Sequence, residues 1–295
     1  MISIIIPFYN EAQNLAILLK EIKTELKKLN KEYQLILVDD GSTDNYKLPN
    51  QENIDLLIHK KRLGKGQALA TGLQKAQGEI IIFMDGDLQD DPTDIKKFLS
   101  RIEDGADFVN GIRSERQDNF IVKLYSNLAR LFLQKFLKSP YTDINCGFKA
   151  FKKEVTEGFI FYGNNFRFLP LAVFLKGYDV DEVKVSNRPR QFGKTKFGSG
   201  KLLFGIFDTL TAYFIFKFSE NPLHFFGPIG GLFFGIGFLI AFYLSFERIF
   251  FGVLLYRRPI LQLAVLLIIV GIQIIMTGII GELIVYLNQR SKIKT

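Results

Sequence analysis

The chain has 295 residues, 48 % of them hydrophobic, enough to bury a core, and its single cysteine, Cys146, excludes an internal disulfide. A formal charge of +8 with a pI near 9.3 suits nucleic acid, anionic lipid or a phosphorylated substrate and does not choose among them. No internal repeat is evident, and composition shifts once, near Asn221-Pro222, from mixed to almost uncharged sequence.

The first residues, Met1 to Pro7, lack the basic start and long apolar stretch of a secretory signal and read as a strand. Leu15, Leu18, Leu19, Ile22, Leu26 and Leu29 then recur at helical spacing, and an apolar strand follows over residues 35–38, which makes a β-α-β unit. Asn10, three residues before Gln13, offers a cap for that helix, and Asn30 a stop. A strand over 54–59, a helix over 66–76 and a strand over 79–84 continue the alternation, so a mostly parallel sheet covered by helices is expected. Ligands in such sheets bind beyond the carboxyl ends of the strands, which places residues 7–11, 39–44 and 85–89 at one rim. Cys146 reads as a small buried residue rather than a reactive thiol.

Within residues 119–138, Lys123, Asn127, Arg130, Gln134 and Lys138 recur at helical spacing among leucines and phenylalanine, a basic amphipathic pattern suited to a headgroup layer or to packing on its own domain. Residues 201–219 read as an interfacial helix, with a third span as the lesser alternative, because Asp208 divides an apolar stretch that is short for a span. Two transmembrane helices are expected at about 223–246 and 259–287 within 220–289, followed by a basic tail over 290–295. Gly230, Gly231, Gly235 and Gly237 in the first permit close helix approach. Arginines between the spans nearly balance the basic tail, so orientation rests on the amino-terminal domain, expected over 1–200 and in the cytoplasm.

Asp85-Gly86-Asp87 directly follows an apolar strand, and two carboxylates there are hard oxygen ligands suited to Mg2+ or Mn2+ on a diphosphate. Asp39 and Asp40, after another strand, could accept hydrogen bonds from a base or ribose, although the same residues also form capped turns. Lys65, between Gly64 and Gly66, resembles a phosphate cradle in composition but not in spacing.

Taken in order, residues 3–11 (SIIIPFYNE), 38–44 (VDDGSTD), 64–66 (GKG) and 84–92 (MDGDLQDDP) resemble the motifs of family-2 glycosyltransferases with the GT-A, Rossmann-like α/β fold. Residues 142–149 (TDINCGFK) and the two carboxyl-terminal spans look most like the dolichyl-phosphate and bacterial polyprenyl-phosphate sugar transferases of that family. The resemblance implies a polyprenyl-phosphate hexosyltransferase that inverts the anomeric carbon, with UDP-glucose preferred as donor, GDP-mannose next, and undecaprenyl or dolichyl phosphate as acceptor. By position, Pro7, Tyr9, Glu11, Asp39, Asp40, Lys65 and Asp85 would hold the nucleotide-sugar, and Asp85, Asp87 and Gln89 the Mg2+ or Mn2+. Arg113, Lys123, Arg130, Lys194 and Lys196 are the candidate contacts of the acceptor phosphate, with Asp87, Arg113 and Asp143 nearest the chemistry and Asp143 the candidate base or orienter. Relatives can be tetramers, so a homo-oligomer is a further expectation.

Other readings are a glycan-extending synthase, for which the chain lacks a long insertion and extra spans, and a nucleotide-binding membrane scaffold, against which Asp85, Asp87 and Gln89 stand intact. A nucleic-acid binder is disfavoured by the two spans, and no nucleic-acid partner is expected.

Overall fold

The computed structural model describes residues 1–46, 53–113, 131–161, 163–189, 201–254 and 258–293. Strand β1 (Ile2–Phe8) is buried along its whole length and lies between β2 (Tyr33–Asp39) and β4 (Ile80–Phe83), both parallel to it. Ile2, Ile4, Ile6 and Phe8 face one way and share a core with Leu15, Leu18 and Ile22 of helix α1 (Ala12–Leu29), while Ile5 faces the other way onto Ala68 and Leu69 of α2 (Lys65–Lys75). This two-sided burial is what turns a run of isoleucines into a central parallel strand.

Strand β3 (Ile54–Ile58) flanks β2, and the order continues past β4 through β6 (Lys149–Lys152), β5 (Phe108–Arg113) and β7 (Val180–Val185). The seven-stranded sheet is mostly parallel, but β6 is antiparallel to both neighbours, with Phe83 and Asn110 each opposite Lys149. Helix α3 (Ile95–Glu103) joins α1 on one face; a helix α4, described over 131–137, and α5 (Leu169–Leu175) follow in the chain. The expected helices and strands of the first half are present, with ends moved by a residue or two.

The start of α1 differs from expectation. Its N-cap position falls on Glu11 with no side-chain cap, and Asn10 adopts a left-handed φ of 54°. The Asp44 carboxylate, from the loop after β2, instead accepts the Ala12 N–H at 2.9 Å, so a distant loop satisfies the orphan donor. Asn30 does end the helix, at a left-handed φ of 48°.

The chain divides into two compact units, Met1–Ala212 and Tyr213–Thr295. The division falls inside α6 (Lys201–Phe218), because Phe214 and Phe218 at its end pack on Phe225 of the next helix. The second unit is dominated by α7 (Leu223–Phe251) and α8 (Pro259–Ile293), both long and apolar enough to cross a membrane. Leu232, Leu239, Phe242, Leu266 and Ile284 point outward, the reverse of a soluble helix pair. Where the two helices meet, glycine lets backbones touch: a Cβ on Gly230 would lie 2.6 Å from the Gly271 carbonyl oxygen, and one on Gly237 2.7 Å from that of Ala264. Gly231 and Gly235 face no atom within 4 Å among the described residues, so the expected role in helix approach belongs to Gly230 and Gly237.

Candidate active site

The carboxyl ends of β1 and β2 are laced together by short polar side chains. Asn10 accepts the Thr43 N–H at 2.7 Å and donates its own N–H to Ser42 at 2.9 Å. Asp39 accepts from the Ser42 N–H at 2.7 Å and the Tyr46 hydroxyl at 2.8 Å. Asp40 accepts from the Leu63 and Gly64 amides at 2.7 and 2.9 Å and faces His59 Nδ1 at 3.0 Å, so it ties β2 to the start of α2. Gly41, at φ 75°, is required there twice over, since a Cβ would also meet the Arg62 nitrogen at 2.7 Å. The structure thus brings Asp39 and Asp40 to the expected rim with much of their hydrogen-bonding capacity used within the protein. Pro7 lies on β1 beyond the last pair with β4, and the Tyr9 ring lies under the Arg62 guanidinium, 4.3 Å from its centroid. Glu11, mostly buried, accepts from Asn14.

The end of β4 carries the acidic turn. Lys65, the first residue of α2, donates to Asp85. Burial alone would raise the Asp85 carboxyl, but the charge and hydrogen bond of Lys65 outweigh it, with Arg113 and Lys149 assisting, and hold it below the ordinary range. Asp87 accepts the Gln89 N–H at 3.2 Å, and Asp90 accepts the Asp85 N–H at 3.1 Å. Asp90 is pushed up to about 7 by burial and by the charges of Asp85 and Asp87. Between them Leu88 adopts a φ of 62°, a left-handed conformation rare for a branched residue, and its buried side chain (1 % exposed) fixes the turn in the core. Arg188, after β7, braces the same turn by pairing with Asp91 at 2.9 Å and Glu21 at 2.7 Å.

A third wall comes from β5 and β6. Arg113 Nε donates to Asp143 at 3.1 Å, while Arg113 Nη2 is buried with no hydrogen-bond partner among the described residues. Lys149 is only 2 % exposed and donates to Asn110 Oδ1 at 2.6 Å; Asn110 in turn donates to the Asp143 carbonyl at 2.9 Å and to Glu182 at 3.1 Å. Glu182 on β7 also takes the Thr142 N–H and hydroxyl, so three strands hold the turn that carries Asp143 and Gly147. Cys146 is buried and its thiol is pushed up to about 12, chiefly by that burial.

Lys65, Asp85, Asp87, Asp90, Asp143 and Arg113 therefore form one charged cluster: Asp85 feels the charges of Lys65 and Arg113, Asp90 those of Asp85 and Asp87, and Arg113 those of Asp143 and Asp90. Lys123, Arg130, Lys194 and Lys196 lie outside the described residues. Sequence reasoning missed Asp90, Asn110, Lys149 and Glu182. Lysine at a strand start reads as solvent-facing, and only the antiparallel pairing of β6 buries it.

No three His, Cys, Asp or Glu side chains converge as a ready metal cage among the described residues. Mg2+ and Mn2+ bound to a diphosphate need only one or two carboxylates, the phosphates and water supplying the rest. Asp85 and Asp87 meet that need, and Gly147 leaves the space open: a Cβ there would lie 2.7 Å from Asp85 Oδ2. The residues present fit a divalent cation.

A mixed, mostly parallel sheet with acidic loops at one rim is a GT-A-like architecture. The solved structure of glucosyl-3-phosphoglycerate synthase from Mycobacterium tuberculosis, in complex with Mn2+, UDP-glucose and phosphoglyceric acid, shares it with a TM-score of 0.54. That match has 18 % identity and covers 72 % of this chain and 79 % of the other. Residues 3–159 match the family model described as glycosyl transferase family 2, and the chain belongs to that family. It is 30 % identical over 294 residues to the dodecaprenyl-phosphate galacturonate synthase of Rhizobium johnstonii, covering 96 % of this chain and 87 % of that protein. It is equally similar, 30 % over 292 residues, to the undecaprenyl-phosphate 4-deoxy-4-formamido-L-arabinose transferase of Photorhabdus laumondii, with 96 % and 88 % covered.

Proposed function

We propose that this glycosyltransferase moves a sugar from a nucleotide-sugar to a polyprenyl phosphate at the membrane surface. The observation that carries the reading is the buried Arg113 Nη2, a donor without a partner among the described residues, beside the Asp85 and Asp90 cluster. Such a donor fits an anionic phosphate oxygen. The relatives whose names specify undecaprenyl or dodecaprenyl phosphate, together with the long apolar helices α7 and α8, support a lipid carrier as its source.

Asp85, Asp87 and Gln89 would hold Mg2+ or Mn2+, which would neutralise charge on the departing nucleoside diphosphate. Lys65 supplies a second positive charge at the same place. Asp143 orients Arg113 through Nε and leaves its other edge for the lipid phosphate, whose attacking oxygen is already largely anionic near neutral pH and needs little help from a base. Pro7, Tyr9, Glu11, Asp39 and Asp40 line the nucleoside end, and Lys123, Arg130, Lys194 and Lys196 are further acceptor cations in this reading. Attack from the face opposite the leaving group inverts the anomeric carbon. UDP-glucose is the first donor to test and GDP-mannose the second. The catalytic unit faces the cytoplasm.

The test is a screen of UDP- and GDP-sugars against undecaprenyl phosphate, using the full chain in detergent with Mn2+ or Mg2+. One donor is expected to give a lipid-linked sugar, and Asp87→Asn to lower its formation by about a hundredfold or more. Nucleotide binding without lipid-linked product from any donor would favour a non-catalytic scaffold and overturn the reading.

A further inference from the structure

The charge balance around Asp85 contains a conflict. Asp85, Asp87 and Asp90 form the acidic turn, and the cation closest to Asp85 is the ammonium of Lys65, hydrogen-bonded to its Oδ1. Lys65 is not there by the accident of a long side chain. The Leu63 and Gly64 amides are held by Asp40, which fixes the first turn of α2 and hence the origin of the lysine. Phe166 lies under the ammonium, 5.2 Å from ring centroid to Nζ. Gly147 bounds the other side and makes room for both groups by lacking a side chain: a Cβ on it would lie 2.7 Å from Asp85 Oδ2 and 3.0 Å from Lys65 Nζ. Three groups thus share one small volume.

A carboxylate whose charge is compensated by an ammonium attracts a second cation weakly. Lys65 on Asp85 therefore opposes a divalent ion arriving alone. A diphosphate changes the balance, because its oxygens offer the ammonium an alternative anionic partner a short distance away. We propose that Lys65 is a built-in counter-ion for Asp85 in the nucleotide-free protein, and that the donor diphosphate draws it off, so that metal and donor bind together rather than separately. Linkage makes the effect reciprocal: the factor by which nucleotide tightens the metal is the factor by which metal tightens the nucleotide. The protein thereby avoids holding a bare divalent ion at an empty rim. This inference rests on the reading of Asp85 as a metal ligand.

The experiment titrates Mn2+ into the full chain in detergent and follows the free-ion paramagnetic resonance signal, alone and with UDP or GDP present. In the wild type, Mn2+ alone should bind weakly and tighten when the accepted nucleotide is added. Lys65→Met should bind Mn2+ alone on the order of tenfold more tightly, since one neighbouring unit charge shifts the cation affinity of a carboxylate by at least about that much. The nucleotide should then add correspondingly less. Lys65→Gln should move in the same direction, which guards against a folding artefact of either variant. If both variants bind Mn2+ alone no better than wild type while Asp85→Asn weakens binding in all backgrounds, the counter-ion is overturned and the metal site stands. If Asp85→Asn leaves Mn2+ binding unchanged, the metal reading fails and this inference with it.

Discussion

Arg113 and Asp143 act as one unit: Arg113 Nε lies 3.1 Å from Asp143 Oδ2, joining the end of β5 to the turn before β6. Burial would by itself lower the guanidinium's proton affinity, and Asp143 more than reverses this, holding it above the ordinary value. A guanidinium fixed along one edge presents the other edge in a set direction, which an ammonium cannot do.

Arg113→Lys should therefore raise the KM for polyprenyl phosphate about tenfold, the scale of one charge-assisted hydrogen bond, and leave the KM for the nucleotide-sugar within about twofold. Asp143→Asn should move the same constant in the same direction by less. Steady-state kinetics with each substrate varied in turn checks this, and a rise confined to the donor KM would refute the assignment of Arg113.

Asp40 braces the start of α2. Its carboxylate holds the Leu63 and Gly64 amides at 2.7 and 2.9 Å, and Asp40→Ala leaves both donors without it. The expected loss is about 2–4 kcal/mol of stability, seen as a lower denaturation midpoint of the full chain in detergent. Donor affinity should fall with it, because the start of α2 carries Lys65. An unchanged midpoint would show that the two amides find other partners.

Lys149 gives a pH signature. Burial lowers its ammonium from an ordinary 10.5 to about 8, with Lys65 and Arg113 adding to the effect and Cys146 and Asp143 opposing it. Between about pH 8 and 10.5 the unfolded chain keeps a proton that the folded chain has released, so this group adds stability as pH rises through that window. Below pH 8 both states are protonated and the folded state carries the burden of a buried charge. Lys149→Met lacks the titration. The difference in Tm between wild type and variant should therefore shift in favour of wild type from pH 7.5 to pH 10, and a constant difference would contradict the assignment.

The helix pair of the second unit distinguishes its glycines. A side chain at Gly230 meets the Gly271 carbonyl oxygen at 2.6 Å, whereas one at Gly231 meets nothing within 4 Å among the described residues. Gly230→Leu should lower the thermal midpoint in detergent by the scale of an overpacked contact, about 1–3 kcal/mol, and Gly231→Leu should leave it nearly unchanged. Equal effects would mean that the helices pair through another face.

Elements whose signal lies in one strongly patterned stretch were legible in the sequence. Strands β1, β2 and β4 are built on the apolar runs of residues 4–6, 35–38 and 80–83, the helix between the first two shows its buried face through Leu15, Leu18 and Ile22, and the two long apolar helices need only length and lack of charge. The acidic residues at strand ends followed from the same reading, because a parallel sheet sends those ends to one rim. Strands β5 to β7 were not legible. Asn110-Gly111 inside β5 is a turn signal, β6 is four residues with lysine at both ends, and β7 alternates like a partly exposed strand. That Asp44 caps α1, that Lys149 is buried opposite Asn110 and that Arg113 meets Asp143 follow from packing between distant segments. Each of these joins residues 30 or more apart along the chain, and no local periodicity records which distant partner will satisfy a buried charge or an orphaned N–H.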